Sequence, residues 1–416
     1  MKHKIPDEAM PAIYLTRDEE LWVERETDAI VHDTVLSFEE FIANGRKFPA
    51  DKWKHIKSKG GCSVFRTRKS HNSATARSQR PSHVSTWSRS DPSTSSQSSG
   101  SAVSHSRDNS ILTKRKKPEM TPTRDFPIIV LSGVIPGTME DAGYGALAAN
   151  EAIWRLRSTY ISDEQRDLKT LATIEHPSAA DPFRFLGIKW AWRKLPGWVQ
   201  QRDLVYAESS GVYEGVEACA SPGSSTITGY TLMHSIELPG IPELFEYGLL
   251  RMKLSLCYLI RQFDDTSVEW YCRAFSIPMG KIPTSIGAMI YAEGLLATVN
   301  TMECSYTKKL MWLTQQRRKR SIQYTKQRLD TATHCQGCLR GLKLFGGLAR
   351  SAFTCSCCKR IVCTRCSSEK KMVLDVADDG EVTQKSIPFC LQCVAEAKAL
   401  PALDIVHATV ATWHDQ

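Results

Sequence analysis

Residues Cys355-Ser356-Cys357-Cys358-Lys359-Arg360-Ile361-Val362-Cys363-Thr364-Arg365-Cys366 hold two Cys-x-x-Cys pairs separated by four residues. Two more pairs flank them: Cys335/Cys338, sixteen residues upstream, and Cys390/Cys393, twenty-three residues downstream. A two-residue gap lets both thiolates of a pair reach one ion at a Zn–S distance of about 2.3 Å, so eight thiolates predict two closed four-coordinate zinc sites. Closed sites are structural, because sulfur fills every position and none is left for a reacting water. The spacing leaves open whether the pairs share ions in sequence or interleaved. Cys357 is a ninth thiol with no place in either set.

Working outward, the 416-residue chain has room for two to three domains of about 100–200 residues each. Nine of its fourteen cysteines lie in the cluster, and nothing in the sequence indicates secretion, so metal binding rather than disulfide pairing is expected. The other five, Cys62, Cys219, Cys257, Cys272 and Cys304, sit in apolar or strand-like sequence and read as core residues. No run of 18 apolar residues predicts a spanning helix. Met1–Leu15 carries Asp7, Glu8 and two prolines without an apolar stretch, which reads as no secretory signal and gives a cytosolic or nuclear expectation.

The formal charge of +9 is uneven. Between Cys62 and Lys117 there are eleven Lys/Arg against two Asp, and between Tyr306 and Arg328 eight Lys/Arg and no acid. Basic tracts of this kind attract anionic surfaces, or remain solvated. Residues 70–110 hold sixteen serines and few aliphatic side chains, too little to offset ordering entropy, so disorder is predicted for a basic insertion over 70–122. Its end, Lys114-Arg115-Lys116-Lys117, is a candidate import signal or membrane-attracting tract.

Thr16-Arg17-Asp18-Glu19 has the form of a capping box and predicts a helix start, with Val31, Val35, Phe38 and Ile42 on one stripe and Gly45 at its end. Trp53–Arg68, around Gly60-Gly61, predicts a hairpin. Strand-like runs follow at Phe126–Ile135, Phe185–Trp192, Asp203–Glu208, Ile227–Leu238, Ser255–Gln262 and Val268–Ile277. Helices are predicted around Tyr144–Arg157 and over Thr284–Gln315, the latter with Met289, Ala292, Leu296, Val299, Tyr306, Leu310 and Leu313 on one stripe. A sheet with a long terminal helix is an α+β fold.

The series Gln201-Arg202-Asp203-Leu204-Val205-Tyr206, Gly229-Tyr230-Thr231-Leu232-Met233-His234-Ser235-Ile236 and Leu238-Pro239-Gly240, with Glu293-Gly294-Leu295-Leu296 in the terminal helix, resembles START lipid-binding domains. The resemblance covers 11–69 and 123–316. It implies a helix-grip fold, a curved antiparallel sheet under a long C-terminal helix, enclosing one lipid without catalysis. Leu204, Ile236, Leu256 and Glu303 are then candidate lipid contacts, each with an alternative as ordinary core or structural hydrogen bonding, as for His176 and His234.

Residues 335–400 resemble a FYVE-type finger, since a RING finger would need a Cys-x-His second pair. The likeness implies interleaved pairing, two structural zinc ions, and docking on a phosphoinositide-containing membrane. The family's basic stretch before the third cysteine is replaced by Ser351-Ala352-Phe353-Thr354-Cys355-Ser356, and the Trp-x-x-Asp element is missing. Membrane docking would therefore fall to Phe345, Leu348, Arg350 and Arg360, in and near an apolar loop that also contains Leu342 and Leu344. Residues 317–334 read as a basic linker and 401–416 as a tail. The expectation is a non-enzymatic lipid-binding protein, cytoplasmic or peripheral on endosomal membranes, whose partners are a lipid, a membrane or a protein but not nucleic acid. The alternative is an adaptor in the nucleus or ubiquitin system. Phosphate-cradling glycine motifs, a nucleophile elbow and an open metal site are lacking.

Overall fold

The computed structural model describes residues 5–68, 85–86, 127–161, 165–193, 195, 199–216, 225–280, 282–320, 333–342, 344–345, 349–350, 352–377 and 381–413. Apart from Ser85–Thr86, the insertion read over 70–122 lies outside them, as do Cys219, Leu348 and residues 321–332.

The capping box at Thr16 forms. Glu19 N donates to Thr16 Oγ1 at 3.3 Å and Thr16 N to Glu19 Oε2 at 2.8 Å, satisfying two donors that a helix start leaves free. Helix α1 (Arg17–Ala43) buries Val31, Val35 and Phe38 and is followed by Gly45 at φ +68°, a left-handed conformation that glycine takes without steric cost. β1 (Trp53–Lys59) and β2 (Cys62–Thr67) form the predicted hairpin, with positive φ at both Gly60 and Gly61.

The chain continues through β3 (Ser85–Thr86), β4 (Ile129–Pro136), α2 (Met139–Ala146), α3 (Glu151–Ile161), β5 (Gln165–Glu175), β6 (Phe185–Arg193), β7 (Arg202–Val216) and β8 (Ser225–Glu237). Then come β9 (Leu250–Arg251), β10 (Lys253–Asp264), β11 (Ser267–Ile277), α4 (Thr284–Ala297) and α5 (Thr301–Arg320). The sheet order is β1-β2-β4-β11-β10-β8-β7-β6-β5, antiparallel throughout, with β3 and β9 adding short parallel pairs to β8 and β7.

Helices cover both faces. On the outer face α1 packs Val31, Val35 and Phe38 on Leu232, Cys257, Leu259 and Tyr271, while Met10 and Val23 cover Leu186, Ile188, Trp190 and Ile236. On the inner face α4 packs Ala288, Ala292, Leu295 and Leu296 on Leu131, Leu256, Tyr258 and Trp270, and α3 packs Trp154 on Leu168, Ala191 and Tyr206. The sheet curves around α4: this helix packs on β1, β2 and β4, yet a Cβ added at Gly294 would stand 3.3 Å from Arg193 Nη1 of β6. In a flat sheet β4 and β6, five strand spacings apart, would be separated by about 24 Å. The fold is thus α+β, a curved antiparallel sheet gripped by a long C-terminal helix.

Three differences from the sequence reading have physical causes. The helix expected over Tyr144–Arg157 is two helices, because Asn150 Oδ1 accepts from Ile153 N (2.9 Å) and starts a new one. Strand β5 went unread because three register shifts break its alternation. The long terminal helix is interrupted by a tighter turn at Thr298–Asn300, and α5 runs on to Arg320, into residues read as linker.

The second module comprises β12 (Leu344–Phe345), β13 (Ala349–Arg350), β14 (Ala352–Thr354), β15 (Ile361–Cys363), β16 (Ser367–Val376), β17 (Val382–Cys390), α6 (Leu391–Ala399) and α7 (Ala402–Trp413). Its strands pair as three two-stranded hairpins.

Candidate metal centres and ligand cavity

The cysteines assemble as two interleaved tetrads, Cys335/Cys338/Cys363/Cys366 and Cys355/Cys358/Cys390/Cys393. Local backbone builds the first pair of each tetrad in the same way. Cys335 N donates to Arg340 O and Leu339 N to Cys335 O; twenty residues on, Cys355 N donates to Arg360 O and Lys359 N to Cys355 O. Both turns place the residue after the second cysteine at positive φ, Leu339 at +61° and Lys359 at +63°. Amides support the sulfurs: Gly337 N and Cys363 N each donate to Cys335 Sγ at 3.3 Å, and Cys393 N to Cys390 Sγ at 3.4 Å.

The donor sets fit zinc. A tetrahedron with Zn–S of about 2.3 Å has sulfurs about 3.8 Å apart. Sγ separations are 3.8 Å for Cys338–Cys363, 3.8 Å for Cys355–Cys393 and 3.7 Å for Cys358–Cys390. Four thiolates per ion leave no open position, so a bound ion would supply folding free energy rather than chemistry. Cys357 stands outside both tetrads, 3.6 Å from Arg317 Nη1.

Three cations of α5 are used internally, while Arg318 and Lys319 are exposed. Lys308 is buried and donates to Tyr144 O (2.8 Å) and Leu147 O (3.0 Å) at the end of α2. Lys309 is buried, ion-paired with Asp141, and donates to Leu400 O (2.6 Å) and Lys398 O (3.3 Å) at the end of α6. Cations here satisfy carbonyls that helix ends leave free. Arg317 Nη2 donates to both carboxylate oxygens of Glu396 (2.6 and 2.7 Å), and its Nη1 reaches Cys393 Sγ at 3.0 Å. Lys309 and Arg317 therefore clamp the second module to the first, and Lys308 ties α5 to α2, so these three of the eight basic residues between Tyr306 and Arg328 are neither solvated nor free to meet a membrane. Leu310 and Leu313 enter the second module's core, and Val373 N donates to Tyr160 Oη of α3 at 2.8 Å.

The inner face carries a buried charge cluster. Lys189 contacts Glu208 at 3.0 Å and donates to Ala148 O at 2.8 Å; Arg157 Nη1 reaches Glu208 at 3.1 Å and Ala146 O at 2.7 Å. Lys189 also lies over the rings of Phe185 and Trp154. Burial pulls the Lys189 ammonium down to about 8, against the pull of Glu208. Burial works against the Glu208 carboxylate too, but Arg157 and Lys189 outweigh it and hold its pKa below the ordinary value.

The candidate lipid contacts divide. Leu204 and Leu256 lie on the inner face, Leu256 in the α4 core and Leu204 between the α4 and α3 clusters. Ile236 does not: side chains alternate faces along β8, and it packs outward in the cluster with Met10 and Val23. Glu303 does not either; it is half exposed and pairs with Lys370 of the second module at 2.6 Å. His234 is buried among the outward residues, its imidazole pushed down to about 4 by burial, and His176 is exposed. Met233, unread as a contact, shares the position of Leu204. Of the docking residues, Arg360 is exposed and bonds Gln392 at 2.6 Å, Phe345 and Arg350 lie on the β12–β13 hairpin, and Leu348 is outside the described residues. Leu342 packs against the second module's core.

Burial pushes Cys62 and Cys257 up to about 12 and raises Cys272 and Cys304 as well, so these thiols are protonated near neutral pH and suited to packing. A mostly apolar cleft of about 500 Å³ opens beside the far ends of β7 and β8, lined by Met139, Phe183, Val212, Ile227, Ile260 and Leu403 with the acids Glu140, Asp181 and Glu214.

No protein-family model and no curated protein matches the chain. Among solved structures, human StAR-related lipid transfer protein 5 aligns over 69% of this chain and 97% of its own, at 10% identity and a TM-score of 0.39. Human STARD10 aligns over 67% and 82%, at 11% identity and 0.36. A STAR-related lipid transfer protein fragment from Xanthomonas axonopodis aligns over 61% and 97%, at 13% identity and 0.33. Likeness at this level identifies no ligand.

Proposed function

We propose that the chain is a non-enzymatic lipid-binding protein, in which the sheet and α4 enclose one apolar ligand and the second module, with two structural zinc ions, braces the helix side. The observation carrying this reading is the state of Leu204 and Met233. Both lie on central strands, between two cores that are otherwise buried, yet both remain only half buried. Apolar side chains at the centre of a close-packed layer are normally fully buried, so a gap between the α3 and α4 clusters is the simplest cause. The apolar cleft at the far ends of β7 and β8 offers the ligand a way in. Docking on phosphoinositide-containing endosomal membranes through the β12–β13 pair and Arg360 completes the reading; an adaptor role for the finger gains no observation of its own.

The test is lipid loading of full-length protein with a fluorescent-chain diacylglycerol. Leu204→Trp, which fills the gap, is expected to abolish loading while zinc content and thermal transition hold. Undiminished loading by a folded Leu204→Trp protein would sink the reading.

A further inference from the structure

Two arginines face each other where β6 ends and β7 begins. Arg193 and Arg202 are direct partners across the antiparallel pair, so their side chains leave the sheet on one side. That side is the inner one, by alternation from Leu204 and Ala191. Like charges placed opposite each other are unfavourable unless an anion offsets them.

None of the described residues supplies that anion. Arg202 is buried and donates only to neutral backbone carbonyls, Pro278 O at 2.9 Å, Met279 O at 2.8 Å and Gln200 O. Arg193 is half buried and has no hydrogen-bond or ion-pair partner among the described residues. The nearby carboxylates among the described residues are committed elsewhere: Glu293 to Lys57, Asp167 to Arg155, and Asp203 to Arg251 on the opposite face. The strand residue paired with Arg193 on its other side is Gln165, which is neutral.

The guanidinium of Arg193 is also positioned. A Cβ at Gly294 of α4 would stand 3.3 Å from Arg193 Nη1, so the arginine spans from β6 to the helix and rests where the helix has no side chain. Gly287, Ile290, Gly294 and Ala297, at helical spacing, form a half-buried stripe of α4 beside the fully buried Ala288, Ala292 and Leu295. Among the described residues, one end of the inner space thus carries positive charge with no carboxylate partner. The other, about 26 Å away along β7 from Arg202 to Ser210, opens at the apolar cleft.

We propose that Arg193, with Arg202 behind it, forms an anion-binding site for the phosphate head group of the ligand, so that the lipid is a phospholipid with its chains directed toward the cleft. This rests on the reading of the interior as a lipid cavity. A guanidinium suits the task because its planar fork matches phosphate oxygens in pairs. The shared chemistry, a phosphate, could also be supplied by the free ion, and the experiment separates the two.

Full-length protein is titrated with phosphatidic acid carrying a fluorescent chain, with diacylglycerol of the same chains, and with inorganic phosphate. The expected result is phosphatidic acid binding at least about tenfold tighter than diacylglycerol, since hydrogen bonds to a charged group correspond to roughly ten- to hundredfold in affinity. Arg193→Gln is expected to remove that advantage while leaving diacylglycerol binding unchanged, and Arg193→Lys to keep part of it with the fold intact. Equal binding of the two lipids, or an advantage untouched by Arg193→Gln, overturns the anion site and leaves the cavity reading standing. If neither lipid binds, the cavity reading fails; the phospholipid assignment falls with it, and inorganic phosphate binding lost in Arg193→Gln would reassign the arginines to a free-ion site.

Discussion

Replacing Lys309 by methionine removes the cation that ties α2, α5 and α6 together. Its ammonium is 2% exposed and its partner Asp141 is 7% exposed at the side chain. The substitution leaves a buried carboxylate whose remaining side-chain support among the described residues is Ser305 Oγ at 3.1 Å, and frees the carbonyls of Leu400 and Lys398. Breaking one partner of a buried pair costs about 3–5 kcal/mol. The Ser305 hydrogen bond and the well-matched methionine volume argue for the lower end, about 3 kcal/mol, a large share of a typical stability of 5–15 kcal/mol. With a urea slope of about 3 kcal/mol/M, the midpoint falls by about 1 M. Adding Asp141→Asn, which removes the stranded charge, should restore a substantial part. Urea unfolding followed by circular dichroism reads the first effect, and zinc transfer to a chromophoric chelator reads loosening of the Cys355/Cys358/Cys390/Cys393 site. An unchanged midpoint together with unchanged zinc release would refute the clamp.

Chelation or Cys338→Ser is expected to lower the thermal transition of the second module, because closed zinc sites contribute folding free energy; an unchanged melting curve after verified zinc loss would contradict this. The two buried lysines, Lys189 and Lys308, are both pulled down to about 8 by burial, against an ordinary 10.5. Between pH 8 and 10.5 the unfolded chain binds more protons at these sites, so their contribution to stability rises with pH, by roughly 1 kcal/mol each at pH 9. Above about pH 9 the buried thiols raised by burial act in the opposite sense. Urea midpoints at pH 7.5, 8.5 and 9 should show a rise that Lys189→Met roughly halves; a slope identical in the variant would count against it. Gly145→Ala in α2 tests packing against propensity. Alanine favours a helix by about 1 kcal/mol, but its Cβ would collide with the Thr301 carbonyl oxygen of α5 and lie 2.8 Å from Thr301 Cγ2. The expected outcome is a lower melting temperature, and a raised one would mean that α2 and α5 pack less closely than described.

What could be read in advance was local or stoichiometric. The Thr16–Glu19 box, the Gly60-Gly61 turn and the eight-thiolate count depend on neighbours within a few residues or on fixed coordination chemistry, and each survives in the fold. The faces of the sheet were less accessible. Ile236 and Met233 are both apolar on one strand, and nothing local says which points inward when helices cover both sides. Charge was misread for a related reason: Lys308, Lys309 and Arg317 look like solvated basic residues until the ends of α2 and α6 are brought against them from elsewhere in the chain. Arg193 belongs to the same class, since its meaning depends on Arg202 across the strand and Gly294 across the interior.

The enclosed ligand is most directly tested by the native mass of purified full-length protein, which counts bound zinc and bound lipid in one spectrum. The expected spectrum is the chain mass plus two zinc ions plus one lipid-sized adduct, the adduct lost in Leu204→Trp while both zinc ions remain. A protein that carries two zinc ions and stays empty after incubation with mixed phospholipid and neutral-lipid vesicles would contradict it.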